Sequence, residues 1–196
     1  MIASPTRLRV LMLFLGFFSV ATASADRGLP ELFAETFYSV DYVENECREN
    51  IFRFVESASA NGLELRNAEI WMIEDYSGRI DQGVTGVVAR NPEAPSRTRE
   101  NRWDYHTVLF DDGMIYDFDF TNEPQPIEES AYWLEMYLTE KERSDKSTRL
   151  EKIGNYKITR YSAESYIRSA ANGQRDLDLI QEIRLKDHHP ELFPKF

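Results

Sequence analysis

Residues 101–120 read NRWDYHTVLFDDGMIYDFDF. Two runs rich in β-branched and aromatic residues flank Asp111, Asp112 and Gly113, and Asp-Gly is a preferred pair for a two-residue type I′ turn. The stretch predicts an antiparallel hairpin with strands over 101–110 and 114–120. With Asp112 and Gly113 in the turn, Asp111 faces Met114, and the register of every other pair follows. The face that carries His106 then also carries Val108, Phe110, Ile115, Asp117 and Asp119. Asp119 falls directly opposite His106 and Asp117 on the diagonal, so either acid is within reach of the imidazole. Along a regular strand Trp103 and Tyr105 point the other way, into the core. Asp104 shares the His106 face, as a solvated acid or as a contact for a substrate amine.

Upstream of the hairpin, Asn45 is a plausible N-cap, and Ile51, Phe54, Val55 and Ala58 repeat at the spacing of one helical face. Asn61-Gly62 supplies a stop, so a helix is expected over 46–60. Cys47, the single cysteine of the chain, falls in its first turn. Unsatisfied N–H groups and the positive end of the helix dipole favour negative charge there. A short helix is expected within 30–42, and strands over 68–74 and 83–89, with a solvated loop over 90–102. Beyond the hairpin, residues 128–140 predict a helix with a stripe of Ile127, Ala131, Leu134 and Leu138. The charged run 140–152 reads as a solvated helix end and loop. A strand over 156–161 leads to a helix capped by Ser162 that stops near Asn172-Gly173. A last helix is expected over 176–185, packing through Leu177, Ile180 and Leu185. His188-His189 before Pro190 has no cysteine or acid at ligand spacing and reads as a tail, so neither metal nor cofactor is expected.

At 196 residues with 13% aromatic side chains, the chain is long enough for one domain with a substantial core. Residues 1–25 stand apart: Arg7 and Arg9 precede an apolar run, and Ala23-Ser24-Ala25 offers small residues for cleavage, the pattern of a secretory signal. That run is too short to span a bilayer. Cleavage after Ala25 would leave 26–196 as a single catalytic domain, secreted or periplasmic and not inserted in a membrane. The chain has 23 basic and 34 acidic side chains; without Arg7 and Arg9 the formal charge is −13. Such a field repels nucleic acid and suits a basic peptide or a free amine. A single thiol cannot build a disulfide scaffold, so Cys47 is a buried filler, an intermolecular bridge or a reactive group.

Cysteine at a helix start, His on a strand and Asp on the next strand are the parts of a nucleophile, base and orienter triad. The motifs CREN at 47–50, WDYH at 103–106, IYDFD at 115–119 and RYSAESY at 160–166, in that order, resemble the protein N-terminal glutamine amidohydrolase family. The resemblance implies an α+β fold of the papain and transglutaminase kind, in which an N-terminal helix carrying the cysteine packs on an antiparallel sheet carrying His and Asp. It implies hydrolysis of the side-chain amide of an N-terminal glutamine to glutamate and ammonia. Cys47 would be the nucleophile, His106 the base and Asp117 the orienting acid, which leaves Asp119 a supporting role. The Cys47 backbone N–H is a natural oxyanion donor. The same triad would serve a deamidase or transglutaminase acting on internal glutamines, and the scaffold would also serve a non-catalytic binding module. The family is otherwise intracellular, and the export signal departs from it.

Overall fold

A computed structural model describes residues 28–39, 43, 46–76, 87, 88, 102–120 and 123–195. The expected signal segment and most of the expected loop over 90–102 lie outside the described residues.

Helix α1, Leu29–Phe37, opens with Pro30 in its first turn and buries Leu29, Leu32 and Phe33. Helix α2, Cys47–Ala60, forms on the expected stripe, and Ile51, Phe54, Val55 and Ala58 are fully buried. It ends as Asn61-Gly62 predicts: Gly62 adopts φ +78°, and the N–H groups of Gly62 and Leu63 return to the carbonyls of Ser59 and Ala58, each at 3.0 Å. At its start the N-cap is Glu46, whose side chain makes no capping hydrogen bond; Asn45 lies outside the described residues.

Strands β1 (Glu69–Asp75), β2 (Val87–Val88), β3 (Arg102–Trp103), β4 (His106–Asp111) and β5 (Met114–Tyr116) follow. The hairpin register is the expected one, with Asp111 facing Met114, Phe110 facing Ile115 and Leu109 facing Tyr116. Asp112 and Gly113 have φ of +47° and +81°, the positive pair a type I′ turn requires. The strands are shorter than expected. Asp104 and Tyr105 form a bend that separates β3 from β4, and β3 pairs with β2 in a small sheet of its own. After Tyr116 the chain leaves the sheet and turns, with the Phe120 N–H reaching the Asp117 carbonyl at 3.4 Å.

Then come β6 (Ile127–Glu128), α3 (Glu129–Tyr137), α4 (Glu140–Arg143), α5 (Lys146–Ile153), β7 (Tyr156–Ser162) and α6 (Ala163–Ala170). Helix α3 buries Tyr132, Trp133, Met136 and Tyr137; of the expected stripe Leu138 is fully buried and Ile127 and Leu134 pack against the same core, but the main buried face is the aromatic one. The aromatic side chains remove far more surface from water and set the rotation of the helix. The charged run is two short helices with caps of their own: Thr139 and Glu142 form a capping box, and Asp145 accepts the Ser147 N–H. Ser162 caps α6 as expected. The last expected helix is instead an edge strand, β8 (Leu179–Arg184), paired with β7. A short helix α7 (Leu185–His188) and a turn of 3₁₀ helix (Pro190–Leu192) close the described chain.

The protein is an α+β fold built on a six-stranded antiparallel sheet in the order β6-β5-β4-β1-β7-β8. Alternation along β1 divides the core in two. Ile70 packs with α1, α2 and α6, whereas Trp71 and Ile73 pack with α3, Ile153 of α5 and Leu185. The RYSAESY motif fastens β7 to β1 and α6 to α2. The Arg160 guanidinium donates twice to Glu69 at 2.6 Å, and Tyr166 stacks on Phe52 of α2 at 4.4 Å while its hydroxyl donates to Glu56 at 2.5 Å.

Candidate active site

Cys47 is the first residue of α2 and is 6% exposed. Helix α2 packs on β4, whose first residue is His106, so the helix start and the strand start meet. Asn50 secures the approach to the helix: its amide oxygen accepts the Val43 N–H at 2.9 Å, and its amide nitrogen donates to the Val43 carbonyl at 2.6 Å. That double bond gives the last residue of the CREN motif a structural reason.

His106 is wholly buried, and its Nε2 lies 2.9 Å from Asp117 Oδ2. The diagonal acid is therefore the partner, and the directly opposite placement of Asp119 is corrected. The reason is the end of β5 at Tyr116: once the chain leaves the sheet, strand register no longer decides which acid faces the imidazole. Asp119 is also fully buried, with a carboxylate oxygen within 4.8 Å of the His106 and Asp117 ligand atoms, and its backbone N–H donates to Asp117 Oδ1 at 2.8 Å.

Asp117 Oδ2 accepts a second hydrogen bond, from the Tyr132 hydroxyl at 2.8 Å. Since Tyr132 has spent its one proton there, the contact of 3.1 Å to Tyr137 is a bond that the Tyr137 hydroxyl donates. Burial and the Asp117 charge push both phenols well above their ordinary pKa, so both stay protonated donors. Burial pulls the His106 pKa down, but the charge and hydrogen bond of Asp117 outweigh it, and Cys47 adds to the rise. The imidazole is held well above its ordinary value. With Nε2 committed to Asp117, Nδ1 is the nitrogen left over; no group of the described chain hydrogen-bonds to it, and Cys47 lies close enough to act on the ring. The hydrogen-bonded order is therefore His106, Asp117, Tyr132, Tyr137, with Cys47 near the imidazole.

Trp103 does not point away from His106. The bend at Asp104-Tyr105 breaks strand alternation and lays the indole on the imidazole, ring centroids 4.5 Å apart and planes 26° apart. It is at the same time a core residue, as expected, packed with Val87 and the α3 side chains. In front of Cys47 lies a cleft of about 320 Å³ lined by Glu46, Cys47, Arg48, Glu49, Trp103, Asp104 and Tyr105. Asp104 and Glu46 are exposed in it, and the Arg48 guanidinium lies over the Tyr105 ring at 5.8 Å. The uncapped first turn of α2 borders the cleft, so its N–H groups are available to a developing oxyanion.

Sequence reasoning missed Tyr132, Tyr137 and the stacked position of Trp103. Tyr132 lies 15 residues from Asp117, on a different element, and no spacing rule links them. His188 and His189 are no loose tail: α7 and the turn after it carry both onto Glu129. Compared with family models and with curated proteins, the chain matches none.

Proposed function

We propose that the protein is an exported thiol amidohydrolase that converts an N-terminal glutamine of a protein or peptide to glutamate and releases ammonia, on a papain and transglutaminase-like fold. The observation that carries the reading is a buried imidazole held on Nε2 by an oriented carboxylate, with its Nδ1 unpartnered and a helix-start cysteine close by, behind an open cleft. Cys47 sulfur attacks the glutamine Cδ, and the charge that develops on oxygen meets N–H groups at the start of α2. His106 gives its proton to the departing ammonia and a thioester remains. Water, losing a proton to His106, then attacks the thioester, releasing glutamate and restoring the thiol. Asp117, fixed by the Tyr132 hydroxyl and the Asp119 N–H, keeps the imidazole aligned through both halves.

The acidic cleft supports selection of a cationic end. Asp104 and Glu46 stand exposed beside Cys47, where an α-ammonium group gains from negative charge. A deamidase or transglutaminase acting on internal glutamines is the second reading, since it needs the same nucleophile and base and no amine contact.

Ammonia release from matched peptides carrying glutamine at a free N-terminus, at an acetylated N-terminus and in the interior tests the reading, with Cys47→Ala as control. Release from the free terminus alone, abolished in the variant, is the expected result. Equal release from free and acetylated termini removes the N-terminal selectivity. No release from any peptide leaves a binding module on the same fold.

A further inference from the structure

Away from Cys47 in sequence, Glu129 and the adjacent pair His188-His189, about 60 residues later, converge. Glu129 begins α3, His188 ends α7, and His189 follows it. Glu129 Oε1 lies 2.7 Å from His188 Nε2 and 2.9 Å from His189 Nε2. Each of the three offers one ligand atom, all within 4.8 Å of one another.

Adjacent residues of a continuous helix point about 100° apart and cannot share a target. Here the helix stops at His188. Pro190 disfavours the helical conformation for the residue before it, and His189 sits at φ −122°, ψ +64°. That break turns the second imidazole back onto the oxygen already met by the first. The other nitrogen of His189, Nδ1, lies 2.6 Å from Glu191 Oε1. A carboxylate on the second nitrogen is the arrangement that orients imidazole ligands of metals and raises their basicity. The three side chains are 15%, 21% and 14% exposed for Glu129, His188 and His189, so the cluster is shielded but open to ions from solvent.

We propose that Glu129, His188 and His189 form a binding site for a divalent transition metal of the zinc class. The ion takes Glu129 Oε1, His188 Nε2 and His189 Nε2 as ligands, with water completing the shell. Two imidazoles and one carboxylate suit a zinc-class ion rather than calcium or magnesium. Ligand distances of about 2.0–2.2 Å around a tetrahedral centre put neighbouring donors roughly 3.3–3.5 Å apart. The cluster, now at 2.7 and 2.9 Å around Oε1, reaches that by opening roughly 0.4–0.8 Å. The ion replaces the Nε2 protons that the two imidazoles now donate to Oε1, while the Nδ1–H of His189 goes on donating to Glu191. Loaded, the site pins the C-terminal segment to the start of α3.

The chelator-stripped protein is titrated with Zn²⁺ by calorimetry, and the Cu²⁺-loaded protein is examined by electron paramagnetic resonance. One ion per chain with a dissociation constant of about 1 μM or tighter, and nitrogen hyperfine structure from two imidazoles, is the expected result. The double variant His188→Ala/His189→Ala loses the binding. Glu191→Gln weakens it roughly 10- to 100-fold. Absence of Zn²⁺ binding to the unsubstituted protein overturns the proposal whatever the variants do. So does a Cu²⁺ spectrum without two imidazoles, or stoichiometric binding that survives in the double variant. Glutamine amidohydrolysis is not a readout in any arm, so the outcome is independent of the reading of Cys47.

Discussion

Asp117 holds three hydrogen bonds on two oxygens, from His106, Tyr132 and the Asp119 backbone. Every one of the three groups is buried or belongs to a buried residue, so the carboxylate has a single orientation available to it. Tyr132→Phe removes one donor while keeping the ring. A hydrogen bond to a charged group is worth about 1.5–3 kcal/mol, so we expect kcat to fall about tenfold with little change in KM. The sign of the pH effect separates this role from simple packing. With one donor fewer, Asp117 holds the His106 proton more strongly, and the alkaline limb of the pH profile moves upward. A limb that stays in place removes the positioning role of Tyr132. The raised His106 pKa also links pH to stability. Because the folded value lies above the unfolded value of about 6.5, the contribution is complete below that pH and is lost as pH rises through the folded value. Thermal melts of the protein and of His106→Gln are expected to differ most in acid and to converge as pH rises.

At the level of elements, helix α2 and the β4-β5 hairpin were legible from sequence because each is specified locally. A four-residue stripe and a glycine stop define the first, and an Asp-Gly turn with its register defines the second. The turn carries a testable cost. Gly113 has φ +81° and open space around it, so Gly113→Ala introduces no clash and only left-handed strain, about 1–2 kcal/mol. Chemical denaturation is expected to show that loss without a change in slope. Strand β8 was illegible because its determinant is distant. Leu177, Ile180 and Leu185 mimic a helical repeat, yet residues 179–184 pair with β7 through a register shift between Arg160 and Tyr161. Backbone bonds to a strand about 20 residues earlier outweigh the local pattern. The candidate site divides the same way. Cys47 and His106 could be read from a helix start and a hairpin face, and the choice of Asp117 over Asp119 came from the motif resemblance. Register alone left both acids within reach and set Asp119 directly opposite, a placement that fails because β5 stops at Tyr116. Tyr132 left no trace, since the contact exists only after α3 folds back under the hairpin.

Across the whole molecule the sheet separates two cores, and the site lies where the hairpin feeds both. Tyr116 and Phe118 pack with α1 and α2, while Phe120 packs with α3. Phe33 of α1 lies with its ring centroid 5.3 Å from Phe54, 5.4 Å from Tyr116 and 4.7 Å from Phe118. It therefore joins the helix that begins at Cys47 to both residues that flank Asp117. Phe33→Ala is expected to cost about 3–5 kcal/mol, read from the denaturation midpoint. A loss below about 1 kcal/mol would mean that α1 is not part of the cooperative unit. The stacked pair of Trp103 and His106 has an optical consequence. An imidazolium against an indole drains its excited state far better than a neutral imidazole does, so emission from Trp103 should brighten as His106 gives up its proton. The difference in fluorescence between the protein and Trp103→Phe, followed against pH, would then report the charge of the buried imidazole directly, with no substrate present.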